Sequence, residues 1–129
     1  LSEDGDVLII RQAQPALARA LQQRGAEVLA LPGSGSGTDL RELLKMLAER
    51  GCNEVLVEAG ATLAGAFVRE QLFDELVVFM APTLLGSSAR PLLSLPEIAT
   101  MAEQRRLQLT QVEQVGDDLC LTYQPVAVN

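Results

Sequence analysis

The residues best placed to do chemistry stand in one stretch, Glu54-Val55-Leu56-Val57-Glu58-Ala59-Gly60-Ala61-Thr62-Leu63-Ala64-Gly65. An apolar run enters a turn of small residues, and helical spacing begins behind it. At such a junction the first N–H groups of the helix have no acceptor within it. They point outward with the positive end of the helix dipole, an arrangement that suits a phosphate. Gly60 lets an anion approach the backbone without a Cβ in the way. Glu58, as the last residue of the expected strand, sets a carboxylate over the same crevice, the edge at which open α/β sheets bind ligands. The plain alternative is a tight turn at Gly60 and Ala61 with no ligand, and a Glu58 that is capping or solvated.

Other groups are weaker candidates. Gly33-Ser34-Gly35-Ser36-Gly37 matches neither the P-loop nor the dinucleotide spacing and reads as a flexible surface loop. Asp74 and Glu75 are neighbours on a strand start, so their carboxylates face opposite ways and cannot share a substrate. Cys52 and Cys120 have no His nearby and read as inert thiols. Arg90 lies in a long irregular loop, where binding residues concentrate, with a solvated Arg as the plain reading. Arg105-Arg106 reads as an exposed strand start.

Composition removes whole classes. There is no His, which excludes the commonest general base, the Ser-His-Asp and Cys-His arrangements and most zinc sites. The 2 Cys cannot build a thiolate metal site or a disulfide framework, so no metal is expected. Lys and Arg number 10 against 17 Asp and Glu, a net charge of −7. That balance argues against nucleic acid and anionic membrane surfaces. No apolar run approaches the ~18 residues of a membrane span. The acidic start Leu1-Ser2-Glu3-Asp4-Gly5-Asp6 has no signal-peptide pattern, so a cytoplasmic protein is expected. At 129 residues, 48% hydrophobic and 21% charged, the chain suits one folded domain.

The elements that must position the site alternate. Val7-Leu8-Ile9-Ile10, within Asp6 to Arg11, reads as a buried strand. A helix follows from Pro15 through Leu17, Ala20 and Leu21 to a stop at Gly25. Val28-Leu29-Ala30-Leu31 is the second strand. Leu40, Leu43, Leu44 and Leu47 line one face of the next helix, with an Asp39/Glu42 capping box at its start and Gly51 at its end. Val55-Leu56-Val57 is the third strand, Gly60 opens the third helix, and Leu76 to Met80 is the fourth strand. This β-α-β-α-β-α-β order implies parallel strands joined by crossovers. After an irregular Pro82 to Pro96, with a helical turn between Glu97 and Ala102, Leu107 to Val115 and Leu119 to Tyr123 form a hairpin around Gly116-Asp117-Asp118. The alternation slips between Leu109 and Val112, which predicts a bulge. The expected fold is α/β, a mixed sheet of parallel βαβ units closed by a C-terminal antiparallel hairpin. Leu8, Ile10, Val28, Leu56, Val57, Val77 and Phe79 are its expected core.

Three stretches, in this order and spacing, carry a resemblance: Val57-Glu58-Ala59-Gly60-Ala61-Thr62-Leu63, Phe73-Asp74-Glu75-Leu76 and Ala81-Pro82-Thr83-Leu84-Leu85-Gly86. Together they resemble the reductase domain of the bifunctional deaminase/reductase of riboflavin biosynthesis. That family shows Val-Glu-Gly-Gly, a helix, Val-Asp-Glu-Leu, a strand and Ala-Pro-x-Leu-Leu-Gly. Val115-Gly116-Asp117-Asp118-Leu119 is similar to the family's C-terminal end, and the match reaches less distinctly back to the first strand. The resemblance implies a dihydrofolate-reductase-like fold and NADPH-dependent reduction of 5-amino-6-(5-phosphoribosylamino)uracil to its ribityl product. It implies a homodimer. It carries Gly60, Ala61 and Thr62 to cofactor binding and Glu58 to the reaction crevice. Ala59 departs from the pattern, where the family often has Gly.

The family's earlier reductase strands and its zinc deaminase domain have no counterpart here. The expectation is a single, incomplete reductase domain over residues 1–129, inactive by itself. The competing class is a non-catalytic α/β module that binds a phosphate ligand or another subunit.

Overall fold

The computed structural model describes residues 8–11, 15–31, 33–34 and 37–126. The acidic start, Val7 of the first expected strand, and Pro32, Gly35 and Ser36 of the glycine-serine loop lie outside the described residues. The chain divides into two compact units, Leu1–Val55 and Leu56–Asn129.

In the first unit β1 (Leu8–Arg11) and β2 (Glu27–Ala30) pair in parallel, with Ile9 opposite Val28 and Ile10 opposite Leu29. The connection is α1 (Pro15–Gln22), which starts on its proline as expected. Gly33–Ser34 (β3) and Gly37–Thr38 (β4) form a minimal antiparallel ladder within the expected loop. α2 (Leu40–Glu49) buries Leu40, half-buries Leu43, Leu44 and Leu47, and turns Arg41, Glu42, Lys45 and Ala48 to solvent. That is the stripe its spacing predicts. Asp39 caps α2: its Oδ1 accepts the N–H groups of Arg41 at 3.0 Å and Glu42 at 3.1 Å. At the other end the Arg50 guanidinium forms a two-point ion pair with Glu27 on β2, the Nη1–Oε2 contact being 3.0 Å.

In the second unit α3 (Ala61–Glu70) precedes β5 (Leu76–Met80). A 3₁₀ turn (Met101–Glu103), β6 (Leu107–Val115) and β7 (Asp118–Pro125) follow. The sheet order is β5-β7-β6, all antiparallel. The hairpin turns at Gly116 and Asp117. Gly116 has φ 64 and its neighbour does not, the pattern of a type II′ turn. The predicted bulge is present: register shifts between Leu109 and Gln111, and the Thr110 hydroxyl donates to the Thr122 carbonyl at 3.1 Å. Among the described residues α3 supplies the buried ones of this unit, Gly65, Phe67 and Val68.

Two expectations are corrected. Val55-Leu56-Val57 is not a strand; residues 52–60 form neither helix nor ladder, and Leu56 is 81% exposed. An apolar run becomes a strand only where another strand meets its N–H and C=O groups, and no described strand does so. The fourth strand, β5, pairs antiparallel with β7 rather than in parallel. The alternation of helices and strands does not report this, because the pairing partner comes from the far end of the chain. The expected core changes with it. Leu8, Ile10 and Val28 are half-buried, whereas Leu56, Val57, Val77 and Phe79 are exposed, Phe79 by 65%. The buried apolar residues are Leu40, Phe67 and Val68 among the described residues.

Candidate functional site

The segment before α3 delivers Glu58 and Gly60 to the start of that helix. Gly60 is the N-cap, with φ −72 and ψ 170, and no side chain closes the helix end. The first intrahelical bond runs from the Ala64 N–H to the Gly60 carbonyl at 3.1 Å. The N–H groups of Ala61, Thr62 and Leu63 precede it and have no acceptor within the helix. Ala61 is half-buried, while Thr62 and Leu63 are exposed. Those N–H groups are the positive end of a ten-residue helix.

Gly60 adopts a conformation open to any residue, and a Cβ built there meets nothing within 4 Å. Neither backbone strain nor packing among the described residues demands a glycine. The space it leaves lies at the uncapped helix start, where an anionic group gains both the N–H donors and the dipole. Glu58 is exposed, two residues before the N-cap, and makes no hydrogen bond or ion pair among the described residues. The four sequence-selected residues, Glu58, Gly60, Ala61 and Thr62, therefore share one helix start. They sit at an exposed turn and not at the end of a buried strand.

The remaining candidates fall elsewhere. Glu75 accepts a hydrogen bond from the Gln124 side chain at 3.2 Å, which ties the start of β5 to β7. Cys52 is exposed and Cys120 half-buried in β7; both are free thiols. Arg90 is exposed in the irregular stretch that follows β5. No cluster of metal-ligating side chains occurs among the described residues. No helix among them is long and apolar enough to cross a membrane.

Two features escaped the sequence reading. One is a groove of about 930 Å³ between the C-terminal end of α3 and the 3₁₀ turn, lined by Val68, Phe73, Leu95, Ile98 and Met101 with Arg105 and Arg106 at its rim. Apart from Val68 on α3, the lining named here comes from stretches with no periodicity to read. The other is a close seat on α3. Ser94 donates its N–H to the Ala61 carbonyl at 2.9 Å, and its backbone lies over Gly65. A glycine in mid-helix was its signal.

The RibD C-terminal domain family model matches residues 2–121. The riboflavin biosynthesis protein RibD of Haemophilus influenzae is 45% identical over 89 residues, 69% of this chain and 24% of the relative. A 5-amino-6-(5-phosphoribosylamino)uracil reductase of Buchnera aphidicola is 36% identical over 83 residues, 64% of this chain and 40% of that protein. The solved structure of Acinetobacter baumannii RibD superposes with a TM-score of 0.79 at 34% identity, covering 94% of this chain and 31% of that one. The chain thus spans about a quarter of the H. influenzae RibD that it matches. The mixed α/β fold, with its parallel and antiparallel sheets, agrees with the dihydrofolate-reductase-like architecture that the resemblance implies. With the family model running over nearly all of its length, the chain belongs to the RibD C-terminal domain family.

Proposed function

We propose that this chain forms the cofactor-phosphate end of an NADPH-dependent reductase acting on 5-amino-6-(5-phosphoribosylamino)uracil, within a single reductase domain that needs further residues for turnover. The observation that carries the reading is the uncapped start of α3, with open space at Gly60 and an unpaired carboxylate two residues away. The reading draws support from family membership and from the Buchnera relative named for this reaction.

NADPH, when bound, supplies the hydride that reduces the sugar carbon bearing the amine. The chain's own residues do the rest. The N–H groups of Ala61 and Thr62, beside Gly60, hold a cofactor phosphate. A net charge of −7 gives no long-range attraction for an anion, so binding is local, from donors and dipole. Glu58 serves the sugar, either by handing a proton to the opening ring or by hydrogen-bonding a hydroxyl. In the complete reductase Glu58→Gln is expected to abolish turnover, a loss of about a hundredfold or more, while the 129-residue chain alone oxidises little or no NADPH. Near-normal turnover by the variant overturns the role of Glu58; steady NADPH oxidation by the chain alone with its pyrimidine substrate overturns the need for further residues.

The second reading, a non-catalytic module for a phosphate ligand or another subunit, is favoured by the exposed apolar residues of β5. Calorimetric NADPH binding without turnover in the complete protein supports it over the first. A homodimer fits either reading. Among the described residues β5 is an edge strand, apolar and uncharged, of the kind that pairs with another chain. A monomer mass in light scattering at high concentration refutes the dimer. We further propose a cytoplasmic protein with no membrane or nucleic-acid partner, a reading that rests on its net charge of −7.

A further inference from the structure

Glycine weakens a helix interior, because the unfolded chain gives up more freedom there and no side chain is gained. Gly65 stands in the middle of α3 and is buried. Its helical backbone makes no use of a glycine; its surroundings do. A Cβ at this position would overlap the Ser94 carbonyl oxygen and stand 2.9 Å from its carbon and 3.0 Å from its nitrogen. All three are backbone atoms, so no side-chain rotation relieves the clash.

The same Ser94 donates its N–H to the Ala61 carbonyl at 2.9 Å. Ala61 and Gly65 are four residues apart, so they lie on one face of α3, one turn above the other. The backbone of Ser94 thus grips the first turn of the helix from the side: one hydrogen bond at the turn that carries the free N–H groups, one glycine-sized seat directly behind it. Ala61 belongs to both arrangements. Its carbonyl is held by Ser94 and its N–H is one of the outward donors.

We infer that Gly65 is a positioning residue, whose missing side chain lets Ser94 hold the first turn of α3 in the orientation that binds a cofactor phosphate. This rests on the phosphate reading of Gly60 to Thr62. The device works through backbone atoms, so it distinguishes the residues that form it. The Ser94 side chain makes no hydrogen bond among the described residues, and Ser94→Ala leaves the grip intact. Gly65→Ala pushes Ser94 off and frees the turn.

The test titrates the 129-residue chain with NADPH and follows the backbone amide resonances of Gly60 to Leu63, for the parent and for Gly65→Ala, Ser94→Ala, Val68→Ala and Gly60→Val. Val68 is buried farther along α3, so Val68→Ala controls for plain loss of packing. The expected result is a roughly tenfold weaker Kd for Gly65→Ala, since a misplacement of about 1 Å is costly to an aligned site, with shifted Ala61 to Leu63 resonances before any NADPH is added. Ser94→Ala and Val68→Ala stay within about twofold of the parent, because neither moves the first turn. A Gly65→Ala variant that binds like the parent, while Gly60→Val has lost binding, overturns the positioning role alone. So does a Val68→Ala loss as large as that of Gly65→Ala. No response of Gly60 to Thr62 in the parent, or parent-like binding by Gly60→Val, overturns the phosphate reading and this inference with it.

Discussion

α2 and α3 are both ten residues long, and they begin in opposite ways. α2 is closed by its own chain: the Asp39 carboxylate accepts two of its first N–H groups, and at the far end Arg50 is held by Glu27. α3 starts on a glycine with no side chain to offer. A cap stabilises its helix because it supplies the negative, hydrogen-bonding group that the first turn lacks. A helix start without one keeps that capacity for something outside the chain. Both helices build the fold, but only the start of α3 is left open by its own chain, which is what the proposed phosphate site requires.

The comparison breaks most sharply if the two starts are exchanged. Gly60→Asp gives α3 the cap of α2. It is expected to weaken NADPH binding by about a hundredfold, since the carboxylate takes the N–H groups and repels a phosphate by roughly 1–4 kcal/mol at close range. The same change is expected to raise helix stability by a few tenths of a kcal/mol. Opposite signs in calorimetric binding and in Tm are the signature, and a capped variant that still binds tightly sinks it. The reciprocal change, Asp39→Ala, is expected to cost about 1 kcal/mol in denaturant unfolding and leave NADPH binding unchanged.

The smallest effect concerns the other end of α2. The hydrogen bond from Arg50 holds the Glu27 carboxyl below its ordinary value of 4.5. An acid with a lowered pKa in the fold contributes stability that is complete above its unfolded value and is lost as pH falls through the folded one. Both partners are exposed, so the contribution is small. Arg50→Gln is expected to flatten the acid side of the stability curve below about pH 5 without changing the neutral-pH fold. An acid limb identical to that of the parent argues against the pair.

The sequence was most legible where local chemistry decides. The apolar stripe of α2, the Asp39 cap, Pro15 at the head of α1, the turn at Gly116 and the bulge after Leu109 each depend on residues a few positions apart. The helix start at Gly60 was legible for the same reason. What could not be read depends on distant partners. Leu76 to Met80 has the composition of a strand in either direction, and only its meeting with β7 sets it antiparallel. Val55 to Val57 has strand composition too, but no described strand pairs with it. Phe79 and Leu56 have the apolar surroundings in sequence that suit a core, but among the described residues nothing covers them. The need for Gly65 is of the same kind, because it comes from Ser94, twenty-nine positions away in the chain.

The hairpin of β6 and β7 has a further meaning for how the chain reaches this state. Its two-residue turn brings Val115 beside Asp118 with almost no loop to close. The bulge at Thr110 then fixes the register from the other end. β5 reaches β7 only after the whole stretch from Ala81 to Asp117 has been gathered in, and the entropy lost in closing a loop grows with its length. Local pairings of this kind form in about 1–10 μs, well ahead of long-range ones. The hairpin is therefore expected to form first in its sheet, with β5 joining later, an order that pulsed hydrogen exchange of the β5 and β6 amides checks. On that order, β5, a short apolar segment without a single charge, is the part of the sheet exposed longest during folding.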